Sequence, residues 1–243
     1  MVTVIENVWR QAVQTFSKHN FVAAHAFDDN FAKLKSLADR ITASDVQLDS
    51  RLLDATYHSI GHLNRRKPPV TYIEIYEDSY FTIGIFILKP GAKIPLHDHP
   101  QMYGILKVLS GTVKIQSYNV LPNELQNDST EEYSIKNTLL AEKVPEVHLN
   151  ETSLACVLTP VDRNLHEIHS VNGAAAFLDI LAPPYDSDAP GTGNRACHYY
   201  KELPSKERRH EEPRERTFTK LFHIPSPPDF WSDSAPYKGP VLR

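Results

Sequence analysis

The feature that most constrains the fold is a change of hydrophobic period at Pro68 and Pro69. Before this pair, apolar residues recur at helical spacing: Val4, Val8, Ala12, Val13 and Phe16, then Phe27, Phe31, Leu34 and Leu37, running toward Ile41. Ser44 and Asp45 are expected to cap a third short helix through Leu52, Leu53 and Tyr57, so that helix extends to about residue 62. After the prolines the period is two. Strands are expected at Val70 to Ile75, Tyr80 to Leu88, Ile105 to Leu109, Thr112 to Tyr118, Leu154 to Leu158, His166 to Val171 and Ala175 to Leu181. Asp78-Ser79, Ser110-Gly111 and Asn172-Gly173 are expected to be hairpin turns between them. Many short strands with regular turns point to an antiparallel sandwich or barrel. The division expected is a helical extension over residues 1–65 and a β domain over 66–243. Within the latter, the aromatic, proline-rich tail from Phe218 should form an irregular strap, and the alternating charges of 206–216 a solvated loop.

Composition narrows the partners. A net charge of -4 gives no support for nucleic-acid or anionic-membrane binding. No apolar run approaches the roughly 20 residues of a membrane span. The N-terminus lacks the basic and apolar regions of a signal peptide. Two cysteines, Cys156 and Cys197, fit a reducing compartment, so the cytoplasm is the expected location, with the nucleus as a second. Twelve histidines raise the question of a metal.

The segment GAKIPLHDHPQMYGILKVLSG, Gly91 to Gly111, addresses that question. His97 and His99 are spaced i, i+2, which on a strand puts both on one face, roughly 6–7 Å apart, while Asp98 points away. Two imidazoles so placed can reach one ion, and imidazole suits Zn, Fe, Cu and Ni. A further ligand must come from another strand. His166 and His169 in NLHEIHS are candidates, but at i, i+3 they face opposite sides, and only one can point inward.

The spacing from Gly91 through His97 and His99 to Gly111 resembles the first motif of the cupin superfamily, with Gly104 where that motif usually carries a glutamate. Together, PLHDHP, NLHEI, FLDILAPPYD and CHYY resemble the thiol dioxygenases of the cysteamine dioxygenase and plant cysteine oxidase group, from about residue 70 to Tyr200, with a weaker echo in DFW and PYKGP. The resemblance implies an all-β cupin, a double-stranded β-helix or jelly-roll barrel, behind a helical extension. It implies Fe(II) on His97, His99 and His166, and so selects His166 over His169. Three neutral ligands leave one face of an octahedral ion open for substrate and O2, and an anionic thiolate then balances the charge. The implied reaction takes the thiol of cysteamine, or of a protein's N-terminal cysteine, to a sulfinate; for proteins this would mark the chain for degradation in response to O2.

Asp179, an acid in an apolar strand, is expected to orient a ligand or receive the substrate ammonium. Tyr185 is expected near the iron, with its hydroxyl on bound oxygen or sulfur. Cys197 and Tyr199 form a candidate thioether pair, since related thiol dioxygenases can join such residues. Cys156 is expected in the core. The group looks monomeric. The competing functions are another metal-dependent cupin enzyme with a non-thiol substrate, and a non-catalytic cupin that binds a ligand or partner.

Overall fold

The structure, a computed structural model, describes residues 2–17, 24–54, 68–122, 137–185, 195–204 and 216–242. Two helices, α1 (Val4–Phe16) and α2 (Ala24–Ala38), precede eleven strands: β1 (Val70–Glu77), β2 (Thr82–Leu88), β3 (Lys93–Asp98), β4 (Tyr103–Val120), β5 (Thr138–Lys143), β6 (Val147–Asn150), β7 (Cys156–Leu158), β8 (Leu165–Ala182), β9 (Tyr199–Glu202), β10 (Thr217–Ile224) and β11 (Ser232–Ser234).

A capping box starts α1. The Glu6 amide donates to Thr3 Oγ1 at 3.3 Å, and the Thr3 amide donates to Glu6 Oε2 at 3.4 Å. Ile5, Val8, Ala12 and Phe16 form its buried face and join Phe27, Leu34 and Ala38 of α2. This layer packs on Ile83, Ile85, Ile87, Ile105, Leu178 and Ile180 of the sheet beneath. The third helix differs from expectation. Asp45 closes a turn by accepting from the Thr42 amide and hydroxyl at 2.8 and 2.6 Å, and Gln47 takes a positive φ of 48°. Those bonds compete with a helix, and only a 3-10 turn follows, Ser50–Leu53, capped by Asp49. Tyr57, the boundary near residue 65 and residues 206–215 of the charged run lie outside the described residues.

The Asp78 hairpin forms as expected: its carboxylate accepts from the Tyr80 and Phe81 amides at 2.8 and 2.9 Å. The other two turns do not reverse the chain. Ser110-Gly111 lies inside β4 and Asn172-Gly173 inside β8, and these long strands pair antiparallel from Tyr103↔Ala182 to Tyr118↔Leu165. Both sites are bends with register shifts and left-handed residues, Gly111 at φ 73° and Asn172 at φ 56°. Each bend changes which residues face inward. Leu106 and Val108 face the same core as Val113 and Ile115, and Ile168 faces the same core as Ala175 and Phe177. A Cβ at Gly111 would collide with the Ala174 carbonyl oxygen and lie 3.0 Å from Ala175 Cα. Gly111→Ala is therefore expected to cost about 2–4 kcal/mol of stability, measured by urea unfolding.

Strands β8, β3, β9, β10, β5 and β4 close into a ring through the β4–β8 pairing, with β1, β2, β6, β7 and β11 as extra strands. The fold is the expected all-β cupin-type barrel with helices at its N-terminal end. The tail is more regular than expected at its start: Thr217–Ile224 pairs with both β5 and β9. Beyond it, β11 runs parallel to β1, pinned where Thr71 Oγ1 donates to Asp233 Oδ1 at 2.6 Å. Among the described residues, no helix is long and apolar enough to cross a membrane.

Candidate metal centre

The site is built from three short stretches. In β3, one extra residue between Ile94 and His97 shifts the register against β8, from Ile94↔Ile168 to His97↔His166. That bulge keeps His97 on the cavity face that Ile94 and Ile168 share, although the two β3 residues are three apart. Leu96 goes to the opposite face, packing with Tyr118, Leu165 and Leu221. His99 follows the strand end. Asn164 holds it there: the His99 amide donates to the Asn164 carbonyl at 3.0 Å, and Asn164 Nδ2 donates to the His99 carbonyl at 2.6 Å. On β8, His166 points into the cavity. His169 has the other parity and faces Glu167, with Nε2 3.3 Å from its carboxylate.

His97, His99 and His166 are all buried, and one ring nitrogen of each lies within 4.8 Å of the others. Pro95 offers its carbonyl 2.8 Å from His97 Nδ1, so Nδ1 carries the proton and Nε2 keeps its lone pair. Tyr185 does the same for His99. Its hydroxyl donates to the Asp98 carbonyl at 2.6 Å and accepts from His99 Nδ1 at 2.9 Å. Nε2 of His99 and Nε2 of His166 face each other at 3.2 Å. Two cis ligands with bonds of about 2.1 Å would sit about 3 Å apart on an octahedral ion. Burial holds all three histidines below their ordinary pKa; at His99 and His166 repulsion from the neighbouring rings adds to the depression. Neutral imidazoles with converging lone pairs fit a transition-metal ion.

Asp98 supports the site from the opposite face. Its carboxylate accepts from the His198 amide at 2.8 Å and from the Tyr200 hydroxyl at 3.1 Å, tying β3 to β9. Sequence reasoning passed over Asp98 and Asn164. Both lie inside the histidine motifs, but only the pairing of distant strands gives them partners. Gly104 carries no ligand, and a Cβ there would meet Leu158 Cγ at 2.8 Å and Leu181 Cδ2 at 3.0 Å. Leucine side chains therefore fill the space that a glutamate at this position would need.

Asp179 lines two neighbouring pockets, a small and a larger lobe. A small lobe of about 20 Å³ runs from His166 and Gly104 past Cys156 to Arg163. A larger lobe of about 320 Å³ is lined by Tyr72, Gly84, Phe86, Leu181 and Tyr185. Burial without a compensating partner raises the Asp179 carboxyl to about 7, and burial pushes the Cys156 thiol up to about 12. Tyr185 lies beside the centre as expected, but its hydroxyl is engaged behind His99 and not directed toward the open side. Cys197 is within hydrogen-bonding reach of both Tyr199 and Tyr185, and the Tyr199 ring is 6.5 Å from that of His97.

The PCO_ADO family model matches residues 37–242. The 2-aminoethanethiol dioxygenase of Mus musculus is 38% identical over 264 residues, covering 100% of this chain and 97% of that protein. Plant cysteine oxidase 2 of Arabidopsis thaliana is 33% identical over 176 residues, covering 72% of this chain and 58% of that protein. KdgF from Halomonas sp. shares 12% identity at a TM-score of 0.35, over 53% of this chain and 92% of that one, a likeness too low to carry an argument. With a family match over most of its length and 38% identity to a relative across the whole chain, the chain belongs to the PCO_ADO family.

Proposed function

We propose that this protein is a non-haem Fe(II) thiol dioxygenase acting on cysteamine, on proteins with an N-terminal cysteine, or on both. The observation that carries the reading is the set of three converging, neutral histidines with no carboxylate at position 104, in a chain of this family. His97, His99 and His166 would hold the metal. Fe(II) would supply positions where a thiolate and O2 meet, with both oxygen atoms ending on sulfur as a sulfinate.

The protein's own groups do the rest. Pro95 and Tyr185 fix the tautomers of His97 and His99, so that Nε2 of each is presented. Asp179 has no hydrogen-bond partner among the described residues and faces the cavity, so it suits the ammonium that both substrate types place two carbons from sulfur. Tyr185 is a positioning residue in this reading. Tyr185→Phe is expected to weaken metal binding about 10- to 100-fold, read by competition with a chelator, while the unfolding midpoint stays near wild type.

The same reading extends to a thioether between Cys197 and Tyr199. Its formation is a two-electron oxidation that removes two hydrogens, with O2 as the acceptor, and intact mass spectrometry of wild type against Cys197→Ser reads that loss. It also retains a monomer working in the cytoplasm and nucleus, with residues 1–65 as an extension packed on a catalytic domain over 66–243.

The decisive experiment is mass spectrometry of a cysteine-initiated peptide after aerobic incubation with Fe(II)-loaded protein, with cysteamine in parallel. Two added oxygen atoms on the N-terminal cysteine, dependent on O2, support the protein-substrate branch. A gain on cysteamine alone restricts the enzyme to the small thiol. No gain on either, with iron bound, overturns the dioxygenase reading.

A further inference from the structure

The larger lobe is lined by Glu77, Thr82, Tyr185 and Ser232 besides Asp179, and by one further polar residue, Tyr72, that no motif identified. Tyr72 lies on β1 with its side chain on the cavity face, beside Phe86 at a ring separation of 4.9 Å. Its ring crosses β2 directly above Gly84. A Cβ on Gly84 would collide with the ring edge and with the hydroxyl. The Tyr72 hydroxyl therefore occupies the place where a side chain at 84 would begin. Gly84 is the cross-strand partner of Asp179 in the β2–β8 pair. Cβ positions of directly opposed residues lie roughly 4.5–5.5 Å apart, so the Tyr72 hydroxyl lies on the same cavity face as Asp179, within roughly 8 Å of the base of its side chain. Among the described residues nothing hydrogen-bonds to that hydroxyl, and nothing pairs with Asp179. The Tyr72 hydroxyl and the Asp179 carboxylate thus line one cavity of about 320 Å³, a donor and an acceptor on the same face.

We propose that Tyr72 is a specificity-determining residue: Asp179 takes the substrate ammonium, and the Tyr72 hydroxyl donates to the carbonyl oxygen attached to the same α-carbon. This rests on the dioxygenase reading given above. In an N-terminal cysteine the amine nitrogen and the carbonyl oxygen are separated by roughly 3 Å, a spacing that an adjacent acceptor and donor match. Cysteamine has the thiol and the amine but no carbonyl. Tyr72 therefore distinguishes the two substrate classes, where Asp179 does not. The residue at 84 is small so that the ring can lie flat and reach this point.

The test compares wild type with Tyr72→Phe on three thiols: cysteamine, cysteine amide, and a peptide that begins with cysteine. Cysteine amide carries the carbonyl and nothing beyond it. Turnover by the Fe(II)-loaded protein and anaerobic binding isotherms are both measured. The expected result is that the preference for peptide over cysteamine, as a ratio of kcat/KM, falls about tenfold. The loss should appear mainly in KM, with cysteine amide following the peptide. An unchanged ratio overturns the proposal, whether both substrates lose activity together or neither does. A loss for the peptide without a loss for cysteine amide also overturns it, because the contact would then lie beyond the first carbonyl. If the wild type oxidises none of the three, the dioxygenase reading fails. The isotherms then decide Tyr72 separately, by whether the variant weakens cysteine amide more than cysteamine. Phe keeps the ring that packs on Phe86, and an unfolding midpoint near wild type verifies that the fold is intact.

Discussion

His166→Ala is expected to lose metal by more than about 100-fold in affinity, and with it all measurable turnover. His169→Ala should retain most of both. The two residues lie three apart on one strand and differ only in the face they occupy. His166 pairs with His97 across the β3–β8 ladder and brings Nε2 to 3.2 Å from Nε2 of His99. His169 pairs with Lys93 and turns toward Glu167, on the face away from the cavity. Its contact with Glu167 is partly exposed and worth little. Metal content after gel filtration, together with O2 uptake, checks both variants. Equal losses in the two would remove the basis for the assignment.

Asp179→Asn is expected to keep its metal, lose turnover by about 10- to 100-fold, and become more stable at alkaline pH. The first two effects follow from replacing a charged acceptor for the substrate ammonium with a neutral one. The third follows from linkage. In the unfolded chain the carboxyl ionises at its ordinary value, whereas in the folded protein it holds its proton up to about 7. Between those values the folded state binds the extra proton, so stability falls as pH rises through that window and is lowest above it. The full shift corresponds to roughly 4 kcal/mol, an upper bound because the adjoining cavity gives the carboxylate room for water. Urea unfolding of metal-free protein should show the variant gaining at pH 8 and gaining less as pH is lowered toward 5. A variant with full turnover would make Asp179 a structural residue only. Equal stability at both pH values would show that its carboxylate is solvated in the folded state.

Much of the fold was legible because periodicity reports burial. The helical period before Pro68 and the period of two after it correspond to α1, α2 and the strands, and the i, i+2 spacing brought His97 and His99 together. Four things were not legible, each for a physical reason. Gly111 and Asn172-Gly173 satisfy the local requirements of a hairpin, but a left-handed residue serves a bend equally well. Only the continuous β4–β8 pairing shows that the chain continues forward. Strand β10 was read as an irregular strap because prolines surround it, yet its pairing with β5 and β9 lies between them. Spacing alone could not choose between His166 and His169, since nothing local states which face of a strand is covered. Tyr72 was invisible as a site residue for a related reason: its position depends on an absent side chain on the next strand.

The bulge in β3 also limits how this chain can change in length. Loops between strands can gain or lose residues without reorienting any ligand. Within the strands the count behaves like a reading frame. Adding one residue between Ile94 and His97, beyond the one that the bulge already absorbs, would turn that stretch by one face, carrying His97 away from the cavity while every ligand remained in the sequence. Descendants of such a sequence would keep the whole histidine motif and lose the centre. In this barrel, therefore, the spacing from Ile94 to His97 is as much a determinant of metal binding as the histidines themselves.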